Sequence, residues 1–139
     1  MTTKDEMDRI FARHCAAEAD KDIGAILDTL TDDVEHDAVG DPRGVLRDKT
    51  AIAERYRDIF DALDEDKMET VHRYYGEDFF VDESHWYGRV VGDFMGVPGG
   101  GRPVDFRILH VCEIRDGRMS RENVWLDVAA IMQQLASAQ

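Results

Sequence analysis

Residues 103–127 read PVDFRILHVCEIRDGRMSRENVWLD, and this stretch decides the fold. Between residues 103 and 115 apolar side chains stand at every second position, which is the period of a half-buried β-strand. Asp116-Gly117 is a strong signal for a two-residue hairpin turn, and residues 118–127 then return as a second strand. The stretch therefore predicts an antiparallel hairpin whose first strand turns His110 inward.

A second hairpin is predicted just before this one. Residues 67–75 and 79–91 are rich in aromatic and β-branched side chains, and Gly76-Glu77-Asp78 separates them. Pro98-Gly99-Gly100-Gly101 is predicted to be a flexible connection that joins the two hairpins.

The remaining elements are predicted mainly from apolar residues that recur at intervals of three and four, the spacing of a helix with one buried face. Asp22 is the expected cap of the second helix, and Asp48 or Thr50 that of the third. We predict helices over residues 5–20, 22–30 and from 48 or 50 to 63, a short strand over 34–39, a loop over 40–44 and an apolar run over 128–135. Helices followed by antiparallel strands indicate one α+β domain over residues 1–139, with a curved antiparallel sheet wrapped around the helices and enclosing a pocket.

The charge balance limits the partners. Lys and Arg total 17 against 30 Asp and Glu, which gives a net charge of -13. Such a surface repels phosphate backbones and anionic lipid, so we expect neither nucleic acid nor a membrane as a partner. A small hydrophobic molecule is the expected ligand.

Cysteine usage and the first residues bear on location. Cys15 and Cys112 are the only cysteines, and their spacing predicts neither a disulfide framework nor a thiolate zinc site. The start of the chain is acidic and lacks an apolar run, and no apolar stretch reaches the roughly 18 residues of a membrane span. We expect a cytoplasmic protein.

Four motifs in the second half carry a family resemblance. They are Gly92–Pro98 (GDFMGVP), Gly101–Val104 (GRPV), Ile114–Met119 (IRDGRM), and Trp125–Asp127 (WLD) running into Gln133–Leu135 (QQL). Together they resemble the SnoaL-like polyketide cyclases of the nuclear transport factor 2-like superfamily. The resemblance implies a cone-shaped α+β barrel with a deep pocket, often dimeric. The same scaffold serves cyclases, isomerases, epoxide hydrolases, dehydratases and non-enzymatic transport factors, so it implies the fold more firmly than the function.

Asp127 is the first candidate for a catalytic group. The resemblance places it where the polyketide cyclases carry their acid–base carboxylate, at the end of the last strand. The two-residue period puts Asn123, Trp125 and Asp127 on one face, where the indole would exclude water and favour a general base. The alternative is structural, since Asp is also a common cap for a helix that begins at Val128.

His110 and Asp37 are two further candidates. His110 lies on the face of its strand that we expect to be inward, and the resemblance implies that it stabilises a developing enolate oxygen. A core histidine bonded to a backbone carbonyl is the alternative. Asp37 loosely resembles the base of the ketosteroid isomerases. The alternative favoured here is that His36 and Asp37 flank a surface turn, and helix one offers His14 rather than the tyrosine of those isomerases.

Aromatic residues and His14 are the candidates for substrate binding. Such side chains could hold a flat fused-ring substrate, although core packing uses the same residues. The candidates are His14, Tyr56, Trp86, Phe106 and Trp125, with Phe60 beside them. The five histidines show no H-x-x-x-H or H-E-x-x-H spacing, so we expect no metal, and no motif implies another cofactor.

These observations lead to one functional hypothesis and one alternative. The hypothesis is a cofactor-independent lyase or isomerase in which Asp127, assisted by His110, moves a proton next to a carbonyl in a cyclic or polyketide-like substrate. The alternative is a module of the same fold that binds a hydrophobic ligand or a partner without chemistry. A shared cavity for Asp127 and His110 would favour the enzyme. A homodimer is expected because the convex face of such a sheet is partly apolar.

Overall fold

The chain forms four helices and eight strands in a computed structural model that describes residues 1–137. In chain order these are α1 (Lys4–Ala19), α2 (Ile23–Asp28), β1 (Leu30–Ala38), β2 (Val45–Leu46), α3 (Lys49–Ala62), β3 (Leu63–Gly76), β4 (Phe79–Val90), β5 (Asp93–Phe94), β6 (Val97–Pro98), β7 (Arg102–Arg115), β8 (Arg118–Leu126) and α4 (Val128–Ser137). None of the helices within these residues is long and apolar enough to span a membrane. The cytoplasmic location stays a prediction.

Side-chain caps define where the helices begin. Thr3 Oγ1 accepts a hydrogen bond from Glu6 N at 3.1 Å, and Asp22 Oδ1 accepts one from Ala25 N at 3.0 Å. Asp48, rather than Thr50, caps α3. Each cap satisfies a backbone N–H that has no partner inside its helix.

Six strands form one sheet in the order β2-β1-β8-β7-β4-β3. The two predicted hairpins are β3–β4 and β7–β8, and β4 also pairs with β7. The sheet is antiparallel, as predicted, except at one pair of neighbours, because β1 runs parallel to β8. Parallel neighbours require a long connection, and here the chain passes through α3 and six further strands, β2 to β7, between β1 and β8.

The concave face of the sheet carries the core. Alternate residues of β7 from Val104 to Ile114 are buried, as predicted, and β4 buries alternate residues from Phe80 to Val90. One core cluster packs α1, α2 and α3 against the sheet, and a second packs α4 against Trp86 and Phe106. The α+β class and the sheet around the N-terminal helices are confirmed.

The segment after β4 is more ordered than predicted. Residues 93–98 form a small hairpin of β5 and β6. The glycine run that follows is hydrogen-bonded back to the preceding segment, from Gly99 N to Gly92 O at 2.8 Å and from Gly101 N to Val90 O at 2.9 Å. The expected flexible connection is therefore a fixed corner beside the pocket.

Gly88 provides a test of how closely β3 and β4 pack. A Cβ at Gly88 would lie 2.2 Å from Asp64 O, so Gly88→Ala should lower the free energy of unfolding by about 1–3 kcal/mol. Gly24→Ala is the matched control, because its Cβ would meet only Asp22 Oδ1 at 3.6 Å and alanine favours the helix. Urea denaturation of both variants measures the difference. Equal stability of the two would contradict the close packing at Gly88.

Candidate active site

A cavity of about 580 Å³ lies between the concave face of the sheet and α3. Its walls are mostly apolar and include Tyr56, Trp86 and Phe106, and Trp86 stacks on Phe106 with 4.8 Å between ring centroids. Exposed residues of the 39–43 loop and the β5–β6 hairpin mark its mouth. Its closed end is polar. An apolar chamber with convergent polar groups at one end is typical of a small-molecule site.

Glu122 of β8 is the centre of that polar end and is almost completely buried. Oε1 accepts hydrogen bonds from His36 Nε2 and from the Tyr56 hydroxyl, both at 2.9 Å, and Oε2 lies 2.8 Å from His14 Nε2. Burial alone would raise the pKa of Glu122, but the charge and hydrogen bond of His14, together with the bond from His36, hold that pKa well below its usual range. The carboxylate is therefore charged and has few acceptor positions left.

His14 of α1 supplies the compensating charge. The Thr29 hydroxyl donates to Ile26 O at 2.6 Å, so it accepts from His14 Nδ1 at 2.7 Å. Nε2 faces Glu122 at 2.8 Å and Glu18 at 3.1 Å. Both ring nitrogens therefore carry protons. Burial lowers the pKa of His14, but the two carboxylates outweigh burial and raise it to about 10.

His36 of β1 has the opposite protonation pattern. Arg55 Nη1 lies 2.9 Å from His36 Nδ1, and a guanidinium can only donate, so Nδ1 must accept. The proton of the neutral ring is then on Nε2, which donates it to Glu122. Arg55 is itself fully buried and also donates to the carbonyls of His36 and Gly44.

His110 of β7 differs from these neighbours because it is not committed to a hydrogen bond. It lines the cavity, is 3% exposed and packs edge-on against Phe11. Its Nε2 lies 4.0 Å from Glu122 Oε2, and its buried Nδ1 has no hydrogen-bond partner in the described part of the chain. The Nδ1 atom is closed off from solvent, so the part of the ring that lines the cavity is what a ligand would meet.

The same residues raise the question of a metal. His14, Glu18 and Glu122 place one ligand atom each within 4.8 Å of one another and could hold an ion. An ion would have to replace the proton on His14 Nε2. The two carboxylates thus attract either the proton of the imidazolium or a metal ion at the same place.

The residues predicted from sequence fall into three groups. Tyr56, Trp86 and Phe106 line the cavity, as predicted, and His110 lines its closed end. His14 lies behind the cavity wall as a partner of Glu122 rather than in the lining. The remaining three, Asp37, Trp125 and Asp127, lie outside the cavity lining.

Asp127 and His110 do not share a cavity, so the arrangement of these two residues that would favour the enzyme over the binding module is not found. Asp127 Oδ1 accepts a hydrogen bond from Ala130 N at 3.1 Å and so caps α4, and with Trp125 it borders a separate surface depression. Trp125 is 38% exposed, so its indole does not shield a pocket. His36 and Asp37 lie in β1, within the predicted strand, and a turn follows at residues 39–40, but His36 is buried and not part of the surface.

Four residues of the site escaped the sequence analysis, namely Glu18, His36, Arg55 and Glu122. The spacing of His14 and Glu18 was the one local signal, because residues four apart meet on a helix. The other contacts join α1, β1, α3 and β8, and no local pattern reports them.

The imidazolium of His14 predicts how stability changes with pH. A pKa raised from 6.5 to about 10 stabilises the fold fully below pH 6.5, and the effect is lost as pH rises towards 10. The His14 contribution should fall by about 1.4 kcal/mol per pH unit between pH 7 and 9. Urea unfolding at several pH values measures this slope. His14→Gln should flatten it, whereas His72→Gln, at an exposed position, should not; equal slopes in both variants would contradict the assignment.

Comparison with known proteins agrees with this architecture. Solved structures that resemble the chain include TsrD from Streptomyces laurentii, with a TM-score of 0.82, 19% identity and 99% of both chains covered. A proposed polyketide cyclase from Xanthomonas campestris pv. campestris gives a TM-score of 0.84 at 17% identity over 96% of this chain and 99% of that one. An NTF2-like protein from Burkholderia thailandensis gives a TM-score of 0.71 at 18% identity, with 91% of this chain and 95% of that one covered.

At these identities the solved structures establish the fold. No curated protein sequence matches the chain significantly. The family model described as SnoaL-like polyketide cyclase, however, matches residues 9–135, which is most of the chain. The protein therefore belongs to the SnoaL-like polyketide cyclase family, as the sequence motifs indicated.

Proposed function

We propose that the protein is an acid–base enzyme that moves a proton at a carbon next to a carbonyl in a hydrophobic cyclic or polyketide-like compound. The observation that carries this proposal is His110, an imidazole that lines the apolar cavity beside the buried carboxylate of Glu122 and lies too far from it, at 4.0 Å, for a hydrogen bond. Imidazole is the side chain best suited to exchange protons near neutral pH.

In the proposed reaction His110 removes the proton from carbon and becomes an imidazolium. The positive ring then lies between Glu122, 4.0 Å away, and the enolate of the substrate, so both negative groups stabilise it. In an isomerisation the same nitrogen returns the proton to another carbon. In a cyclisation the enolate carbon forms a bond to a second carbonyl carbon of the substrate, the π bond of that carbonyl breaks, and the imidazolium returns its proton to the resulting alkoxide oxygen. The reaction is thus an isomerisation or a cyclisation on one base.

Glu122 supports this step rather than performing it. Its carboxylate accepts three hydrogen bonds, and its lowered pKa makes it a weak base. Counting His14 as positive and Glu18 and Glu122 as negative, the polar end carries one excess negative charge before the reaction. Protonation of His110 neutralises it.

His110→Gln tests the proposal against the earlier candidate Asp127. The assay follows exchange of the carbon-bound proton for deuterium in D₂O by NMR, with a panel of polycyclic ketones and polyketide methyl esters. The glutamine variant should lose about 10²–10⁴ in rate, because its amide cannot take up the proton. Asp127→Asn should retain the wild-type rate, since asparagine also caps helices. If Asp127→Asn exchanged the proton slowly and His110→Gln exchanged it at the wild-type rate, Asp127 would be the base instead of His110. If the wild-type protein exchanged no proton of any compound in the panel, a binding module would be favoured.

We also propose a homodimer formed through the convex face of the sheet. Pairing puts Val81, Val111 and Asn123 side by side on that face, next to Leu109 and the half-exposed Trp125. Asn123 Oδ1 is buried and has no hydrogen-bond partner among residues 1–137. A second copy would cover the apolar side chains and could supply a donor to this oxygen.

Light scattering tests the dimer. Wild type should give twice 15.8 kDa at micromolar concentration. Leu109→Lys should give the monomer mass, because the new charge would be buried without a partner. Glu54→Lys, on the exposed side of α3, is the control and should remain dimeric. A monomeric wild type would contradict the proposal.

A further inference from the structure

The cavity has more negative charge than its own cations can balance. Its lining includes six carboxylates, those of Glu18, Asp41, Asp58, Glu65, Asp93 and Glu122, and Arg43 is the one Arg or Lys among the lining residues. Arg43 lies at the mouth and pairs with Asp41 and Asp58, each at 2.7 Å. Its charge is therefore not available to the interior.

Glu18 and Glu65 are the interior carboxylates with the least compensation. Glu18 shares the His14 Nε2 proton with Glu122, which lies closer to it at 2.8 Å against 3.1 Å. Glu65 accepts a hydrogen bond from Trp86 Nε1 at 2.9 Å and has no cationic side chain within 4.0 Å in the described part of the chain. A neutral indole N–H does not cancel the charge.

The two carboxylates belong to the same part of the wall. Both residues line the cavity, and Lys21, just after α1, pairs with Asp64 of β3 at 3.0 Å, so the chain segments that carry Glu18 and Glu65 are neighbours. Burial, and then the charge of Glu18, raise the pKa of Glu65. A cation placed beside both would relieve this repulsion.

The surroundings suit an organic cation better than an inorganic one. Glu65 is bonded to the edge of Trp86, which stacks on Phe106, and Met68 lines the same cavity. Aromatic faces attract ammonium groups, and apolar walls favour the carbon skeleton that carries them. His110 lines the same cavity and can meet a polar atom of the same ligand.

We propose that the ligand of this cavity is a hydrophobic amine whose protonated nitrogen binds beside Glu18 and Glu65 while its ring system lies against Trp86 and Phe106. This inference rests on the proposed function, from which it takes the hydrophobic character of the ligand, and it adds that the ligand is positively charged. Anionic compounds of the same shape are excluded by the same carboxylates.

Three probes of similar shape test whether the cavity prefers a positively charged ligand. They are 1-naphthylmethylamine, 1-naphthylmethanol and 1-naphthoate, and titration calorimetry at pH 7 gives the dissociation constant of each. The amine should bind about tenfold more tightly than the alcohol, and the carboxylate most weakly. Glu65→Gln and Glu18→Gln should each remove most of the preference for the amine. Glu54→Gln also removes one negative charge, but from an exposed position outside the cavity, and should leave the preference unchanged.

The possible outcomes separate this inference from the proposed function. The amine assignment would be overturned if the alcohol bound as tightly as the amine, or if Glu54→Gln reduced the preference for the amine as much as Glu65→Gln does. The role of His110 would still stand. Failure of all three probes to bind at millimolar concentration would overturn the hydrophobic ligand and the amine together. A normal amine preference with unimpaired proton exchange in His110→Gln would overturn only the proposed chemistry.

Discussion

The burial of a charged carboxylate at Glu122 constrains the rest of this structure. An unpaired charge at such depth would cost several kcal/mol, so its partners must be held in place by the fold. His14 comes from α1, His36 from β1 and Tyr56 from α3, and each contacts the carboxylate of β8 within 2.9 Å. The ionic cluster consequently joins the helices to the sheet at the closed end of the cavity. The apolar walls can remain open to a ligand because this end is fixed by polar contacts.

Much of the fold follows from local chemistry, but which residues of β8 face the cavity does not. The turn at Asp116-Gly117 was predicted correctly, and a strict register from it would pair His110 with Asn123. The structure instead pairs His110 with Val124, because the register shifts by one residue at Glu113. A shift of one residue exchanges the two faces of a strand. Glu122 thereby enters the cavity, while the expected catalytic face, with Trp125 and Asp127, turns outward.

Local signals identified the helix caps and the inward face of β7, because each depends on residues close together in the chain. The site depends on contacts between distant segments. His36 and Glu122 are far apart in sequence, and their meeting requires the parallel pairing of β1 with β8, in which they lie directly opposite each other. The sequence analysis predicted antiparallel strands and did not foresee this one parallel pair. The cavity and its aromatic lining were predictable from composition and family motifs, whereas the proton-carrying network was not.

Arg55 extends the constraint from the closed end of the cavity to its mouth. One side of its guanidinium fixes the protonation of His36, and the other donates to Gly44 O and lies 3.3 Å from Asp41 in the mouth loop. Arg43, in the same loop, also pairs with Asp41. Its hydrogen bonds lower the pKa of Asp41 to about 2, so the Asp41 carboxylate stays charged and paired over the physiological pH range. The position of the loop and the proton on His36 therefore depend on the same buried cation. The mouth loop and the carboxylate cluster at the closed end are thus joined through the contacts of one side chain, whereas His110 lines the cavity outside these contacts.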